Sequence, residues 1–196
     1  MERQPLTRER ILDAAEELLR RYGPMKTTVV DVAKALGTSH ANVYRHVASK
    51  ADLQDAVAER WLHRLLEPLT AIAEGDGPAP ARLEAWLRGL VAAKRRKIAD
   101  DPELFATYHQ VVSQARGVVE AHLAEMRRQV ARIVADGIAQ NTFRAADPDA
   151  AAAAVLQATV LFHHPQHLLE GRTDPQALDG VLALLLAGLG VNARDQ

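Results

Sequence analysis

The sequence predicts an all-α fold, and three observations carry that prediction. Hydrophobic residues make up 48% of the 196 residues while aromatic residues make up only 4%, so alanine and leucine supply most of the apolar share, a balance that favours helices over strands. Apolar positions recur at spacings of three and four along most of the chain. Asp-Pro pairs stand at 101–102, 147–148 and 174–175, each a capping acid followed by proline at a first helical position.

Composition also excludes some chemistry. The chain has no cysteine, which rules out disulfides, a cysteine nucleophile, thiol redox sensing and thiolate metal sites; a reducing cytoplasm is the expected location. No stretch approaches the roughly 18 uncharged apolar residues of a membrane span, and "MERQPLTRER" has no signal-peptide apolar region, so a soluble protein is expected. A net charge of -1 argues against a nonspecific nucleic-acid coat. Residues 1–50 are nevertheless mildly positive, with nine Lys or Arg (Arg3, Arg8, Arg10, Arg20, Arg21, Lys26, Lys34, Arg45, Lys50) against six acids (Glu2, Glu9, Asp13, Glu16, Glu17, Asp31).

The first helix is "LTRERILDAAEELLRRYG", with Ile11, Ala14, Ala15, Leu18, Leu19 and Tyr22 on one face, Thr7 as cap, and Gly23 and Pro24 as the stop. In "TTVVDVAKALG", Thr27 or Thr28 caps a short second helix that faces inward through Val29, Val32, Ala33 and Leu36 and ends at Gly37. "SHANVYRHV" follows after a short turn, starting at Ser39 and burying Val43 and Val47. A fourth helix runs from Lys50 through "ADLQDAVAERWLHRLLEPLTAIAE" with Ala51, Leu53, Val57, Trp61, Leu65 and Leu66 mostly inward, and Pro68 should kink or break it near Glu67. "GDGPAPA" is the clearest loop. Beyond it come "ARLEAWLRGLVAAKRRKIA", "DPELFATYHQVVSQA", "RGVVEAHLAEMRRQVARIVADGIAQ", "DPDAAAAAVLQATVLFHH" and "DPQALDGVLALLLAGLG", which brings the expected total to nine helices. Segment "VLALLLAGL" is apolar on every side, so a partner subunit is expected to cover it.

Two short helices joined by a Gly-containing turn, after a longer first helix, outline a helix-turn-helix. The outward face then decides function. Ser39, His40 and Asn42 stand on the first turn of the second short helix, where a recognition helix presents side chains to base edges; Asn42 can pair with adenine N6 and N7. Tyr44, Arg45, His46 and Lys50 follow where hydroxyl and cationic groups grip the phosphate backbone, and Thr28 is a further phosphate candidate.

As a set, "TTVVDVAKALGTSHANVYRHVASKADLQDAV" closely resembles the DNA-binding signature of the TetR family of transcriptional regulators, with Thr28, Ala33, Gly37, Ser39, Tyr44, His46, Lys50 and Leu53 at its places and Val47 where phenylalanine is usual. The resemblance implies a nine-helix, two-domain architecture: a helix-turn-helix domain over residues 1–50 and a ligand-binding and dimerisation domain over 51–196. It implies a homodimer, formed through the last two helices, on a palindromic double-stranded DNA operator. It further implies a repressor released by a small-molecule effector of unidentified chemistry, not an enzyme and without a cofactor.

Candidates for a ligand pocket are the large or polar inward residues Trp61, Leu65, Trp86, Leu90, Phe105, Tyr108, His109, Val112 and Phe162. "LFHHPQHLLE" offers His163, His164 and His167 to a metal- or pH-responsive site, but Pro165 opposes the helix that would align 163 with 167, so no metal is expected. Lys94, Arg95, Arg96 and Lys97 read as a solvated charge run that suits a helix C-terminus and could attract an anionic effector.

Overall fold

A computed structural model describes residues 5–172 and 174–190, so Glu2 and Arg3 of the charge count lie outside the described residues. Among the described residues it contains eleven helices and no strand beyond an isolated antiparallel bridge between Phe143 and Gly190. The chain divides into two compact units, Met1–Leu62 with Asp101–Glu120, and His63–Asp100 with Ala121–Gln196.

The first unit is built on α1 (Arg8–Lys26), α2 (Val29–Ala35), α3 (His40–Tyr44), the first half of α4 (Lys50–Glu74) and α6 (Pro102–Gln114). Thr7 caps α1 by accepting from the Arg10 amide, and Gly23, at φ 75, interrupts helical geometry where the sequence places the stop. Ile11, Ala15, Leu19, Val29, Val32, Val43 and Val57 are buried together with the Trp61 side of α4. Arg60 fastens α4 to α1, its Nε donating to Glu16 Oε1 and one terminal nitrogen to Asp13 Oδ1, both at 2.8 Å. Two positions read as inward are not. Ala51 is exposed, and so is Tyr22, whose ring instead carries the Arg21 guanidinium 5.6 Å from its centroid.

The second unit holds the rest of α4, α5 (Ala79–Asp100), most of α7 (Arg116–Ala139), α8 (Pro148–Ala158), α9 (Val160–His163), α10 (Pro165–Leu169) and α11 (Pro175–Leu189). Its core is aliphatic around Trp86, which is fully buried. The Trp86 indole N–H donates to Gln129 Oε1 at 2.8 Å, and Gln129 Nε2 donates to Thr70 Oγ1 at 3.0 Å, so one hydrogen-bonded chain crosses α5, α7 and α4. Buried Arg82 does similar work: Nε donates to Ile72 O at 3.0 Å, one terminal nitrogen to Asp136 Oδ2 at 2.9 Å, and the other to Ala73 O. It satisfies the last carbonyls of α4 while pairing with α7.

Pro68 does not break α4, which continues to Glu74. Pro68 lies on an exposed turn, where water can reach the backbone that its missing amide leaves open. The nine expected helices become eleven because the eighth divides and a further short helix follows. Thr159 leaves helical geometry (φ -100, ψ 1) with its hydroxyl donating back to Val155 O, and Pro165 holds His164 extended before starting α10. The charge run is not uniformly solvated either. Arg96 and Lys97 are exposed, but Lys94 is buried, 5% accessible, because its position on α5 faces α9 rather than solvent. On α11, Leu178 and Leu182 are buried while Leu184 is 75% exposed.

Candidate nucleic-acid interface

The helix-turn-helix segment starts with a reciprocal cap. Thr28 Oγ1 accepts from the Asp31 amide at 3.2 Å while Asp31 Oδ2 accepts from the Thr28 amide at 3.1 Å and from its hydroxyl at 2.6 Å. The Thr28 hydroxyl bond holds the Asp31 carboxyl below the usual carboxylate range. Thr27, the alternative cap, turns inward and donates to Gly23 O at 2.9 Å. After α2, Gly37 takes φ 61, its amide donates to Lys34 O at 3.1 Å and the Thr38 amide donates to Ala33 O at 3.0 Å. These two bonds form a Schellman stop, which needs a left-handed residue at Gly37.

That stop sets the direction in which α3 leaves. Ser39 caps it by accepting from the Asn42 amide at 3.2 Å, and Asn42 Nδ2 donates to Thr38 Oγ1 at 3.1 Å, so the carboxamide is oriented by the turn. Val43 and Val47 are 0% and 1% exposed and plug α3 onto the unit beneath. Opposite them, Ser39, His40, Tyr44, Arg45 and His46 are exposed. The His40 and Tyr44 rings meet edge to face with centroids 6.3 Å apart, one helical turn from each other. Lys50, at the start of α4, donates to Met25 O at 3.2 Å, and Gln54 Nε2 donates to Pro24 O at 3.3 Å, which ties the α1–α2 corner to α4. Thr28 uses its hydroxyl within the cap, and Lys50 keeps two ammonium hydrogens beyond its bond to Met25.

Charge was a stronger signal than the whole first quarter suggests. From residue 18 to residue 51, Arg20, Arg21, Lys26, Lys34, Arg45 and Lys50 face a single acid, Asp31, and that acid is engaged by Thr28. Counting only between Glu17 and Asp52 would have brought Lys34 and Lys26 into the candidate set.

The pocket candidates separate. In the first unit, Trp61 stacks on Tyr108 (centroids 5.2 Å, planes 6° apart) and meets Phe105 edge to face at 5.8 Å, with His109 and Val112 half-buried on the same α6. In the second, Leu65, Trp86, Leu90 and Phe162 belong to the aliphatic core. The histidines of "LFHHPQHLLE" also part: His163 is buried, whereas exposed His164 caps α10 by accepting from the Gln166 amide at 3.3 Å and lies 5.3 Å from the His167 ring. Among the described residues no three His, Cys, Asp or Glu side chains converge to hold a metal, and no helix is long and apolar enough to cross a membrane.

Comparison with known proteins agrees with this geometry. Residues 11–57 match the family described as bacterial regulatory proteins, tetR family, and residues 79–179 match the tetracyclin repressor-like C-terminal domain. An uncharacterized HTH-type transcriptional regulator of Mycobacterium tuberculosis is 34% identical over 107 residues, 54% of this chain and 50% of its own. The nucleoid occlusion factor SlmA of Aliivibrio fischeri is 32% identical over 95 residues, 48% of each chain. The chain thus spans about half the length of the curated relatives it matches. Among solved structures, a TetR/AcrR-family regulator from Thermobifida fusca shares the fold with TM-score 0.63 at 24% identity, covering 92% of this chain and 97% of its own. FadR from Bacillus subtilis, solved in complex with stearoyl-CoA, does so with TM-score 0.66 at 18% identity, covering 93% and 100%. The SmeT–triclosan complex gives 0.65 at 18%, covering 95% and 92%. With both characteristic segments matched, the second over more than half its length, the chain belongs to the TetR family of transcriptional regulators.

Proposed function

We propose that this regulator is a repressor that binds a palindromic operator as a homodimer and is released by a small molecule. The observation that carries the reading is the outward face of α3: exposed Ser39 and His40 with half-buried Asn42 on its first turn, exposed Tyr44, Arg45 and His46 beyond, all held by Val43 and Val47. A helix seated this way presents its first turn to base edges and its flanks to phosphates. Lys50 is the outlying phosphate contact, whereas both Thr28 donors are committed to Asp31. In this reading residues 1–50 read DNA, and residues 51–196 bind the effector and the second subunit.

The dimer is assigned to residues 148–164 and 175–189, where Leu184 leaves a large apolar side chain uncovered. The twofold axis of such a dimer requires an operator with twofold symmetry. Effector binding among the pocket candidates would favour one disposition of α4, whose first residue is Lys50, and so one spacing of the two recognition helices. That SmeT was solved with triclosan and FadR with stearoyl-CoA supports a small-molecule effector here.

Selection of bound duplexes from a random pool, followed by footprinting, tests this reading. Enrichment of a palindrome, protected on both half-sites with one dimer bound, is the expected outcome. Enrichment of nothing beyond bulk duplex, or of a single asymmetric half-site, would refute it.

A further inference from the structure

Burying an ammonium group without an anion is unfavourable by several kcal/mol, so an isolated buried lysine marks either a neutral amine or a missing partner. Lys94 is such a residue. The residue is 5% accessible and, among the described residues, its Nζ donates to a single acceptor, the His163 carbonyl at 2.7 Å, which is also the last carbonyl of α9. No carboxylate within the described residues pairs with it. Burial alone lowers its pKa, to about 8, with no acid acting in the other direction. At neutral pH the group therefore remains mostly protonated, with two donors left over.

Two imidazoles lie within range of its charge. His163, on α9, and His122, on α7, both feel the Lys94 charge, and burial together with that charge lowers them to about 3 and about 4, so both are neutral near pH 7. His163 Nε2 lies 3.4 Å from Leu156 O. The acid closest in effect, Glu125, acts on His122 and is itself engaged by Arg128 and by Gln129 Nε2 at 2.7 Å. Three helices thus bring one uncompensated positive charge and two neutral imidazoles together. Their helix-mates Leu90, Met126 and Phe162 are core residues, so the charge sits at the edge of an apolar interior, and half-buried His122 is the member that reaches solvent.

We infer that Lys94, with His122 and His163, is the anchor for the head group of a monocarboxylate ligand whose apolar body lies against the core of the second unit. This rests on the effector reading above and names the effector's class. One cation balances one negative charge; a phosphate dianion would leave a second charge to be desolvated without a partner, so a carboxylate is the better match. The two remaining Lys94 hydrogens suffice for both carboxylate oxygens while the third still holds α9.

Octanoate and its neutral isostere octanamide, titrated calorimetrically into full-length protein free of DNA, test the inference without depending on operator release. Octanoate should bind the wild type roughly tenfold tighter than octanamide, as a charge-assisted hydrogen bond in a desolvated site implies. In Lys94→Met that preference should vanish while octanamide affinity is unchanged. Equal affinities in the wild type, absence of octanoate binding, or a preference that survives Lys94→Met would overturn it. Because the wild-type contrast needs no variant, the proposal stays testable if Lys94→Met does not fold. Failure of octanoate to release a selected operator, with the carboxylate preference intact, would instead count against the effector reading alone.

Discussion

Asn42 and Lys50 should contribute by different physics, although both belong to the proposed reading surface. Asn42 has its carboxamide oriented by Thr38, so it is positioned for a directional, base-specific pair. Lys50 offers a point charge on a stem tied to Met25 O, which any phosphate satisfies. Asn42→Ala should cost about 1–3 kcal/mol on the selected operator, relax preference at one base pair and leave random-sequence affinity unchanged; Lys50→Ala should weaken both kinds of DNA alike and reduce the salt slope by about one. Filter binding or anisotropy across a salt series reads both. Identical behaviour of the two variants would refute the division of labour. Much at this scale was legible in sequence, since caps and stops are local chemistry: Thr28, Ser39, Asp101, Asp147 and Asp174 all accept the amide their spacing implies. Lys94 was not legible, because nothing in "AAKRRKIA" distinguishes the residue that α9 packs over from the three that solvent reaches.

Arg82 shows how one side chain closes an element. The α4 C-terminus has carbonyls without intrahelical donors, and Arg82 reaches Ile72 O and Ala73 O from α5 while pairing with Asp136 of α7. Arg82→Ala should lower stability by about 2–4 kcal/mol, since buried acceptors and a partly buried carboxylate lose their donor, though Arg132 still pairs with Asp136 at 3.3 Å. Urea unfolding with an unchanged m-value would register that loss as a shifted midpoint; a midpoint within experimental error of the wild type would show that water caps α4 equally well. Element boundaries escaped the sequence where tertiary context decided them. Pro68 reads as a kink or a break, yet α4 runs on through it, and Thr159 reads as ordinary helix, yet its hydroxyl turns back on Val155 O and ends α8. The pocket candidates fared likewise: inward faces are visible in periodicity, but their separation into a Trp61–Tyr108 stack and the core around Trp86 arises from packing of distant segments.

At the scale of the whole molecule, the buried bases set the response to pH. His163 and His122 bind protons more weakly folded, at about 3 and about 4, than unfolded, near 6.5, so the unfolded chain takes up more protons below that value. Stability should therefore fall as pH drops from about 6.5 toward 3, by several kcal/mol in all. Lys94, lowered to about 8 from 10.5, has the same sign in another window: its contribution rises between pH 8 and 10.5 as the folded state sheds the buried charge. Unfolding free energies measured across both windows check this, and Lys94→Met should flatten the alkaline limb. Leu184→Asp, on the uncovered face of α11, should convert the proposed dimer to monomers in sedimentation and abolish protection of a selected operator without unfolding the chain. Finally, α4 and α7 each carry residues of both compact units, α4 across Leu62–His63 and α7 across Glu120–Ala121. Neither unit can melt to its boundary without fraying a helix that the other unit holds. Heating should thus give one heat-capacity peak, with calorimetric and van't Hoff enthalpies equal per cooperative species, rather than the two peaks of domains joined by a linker.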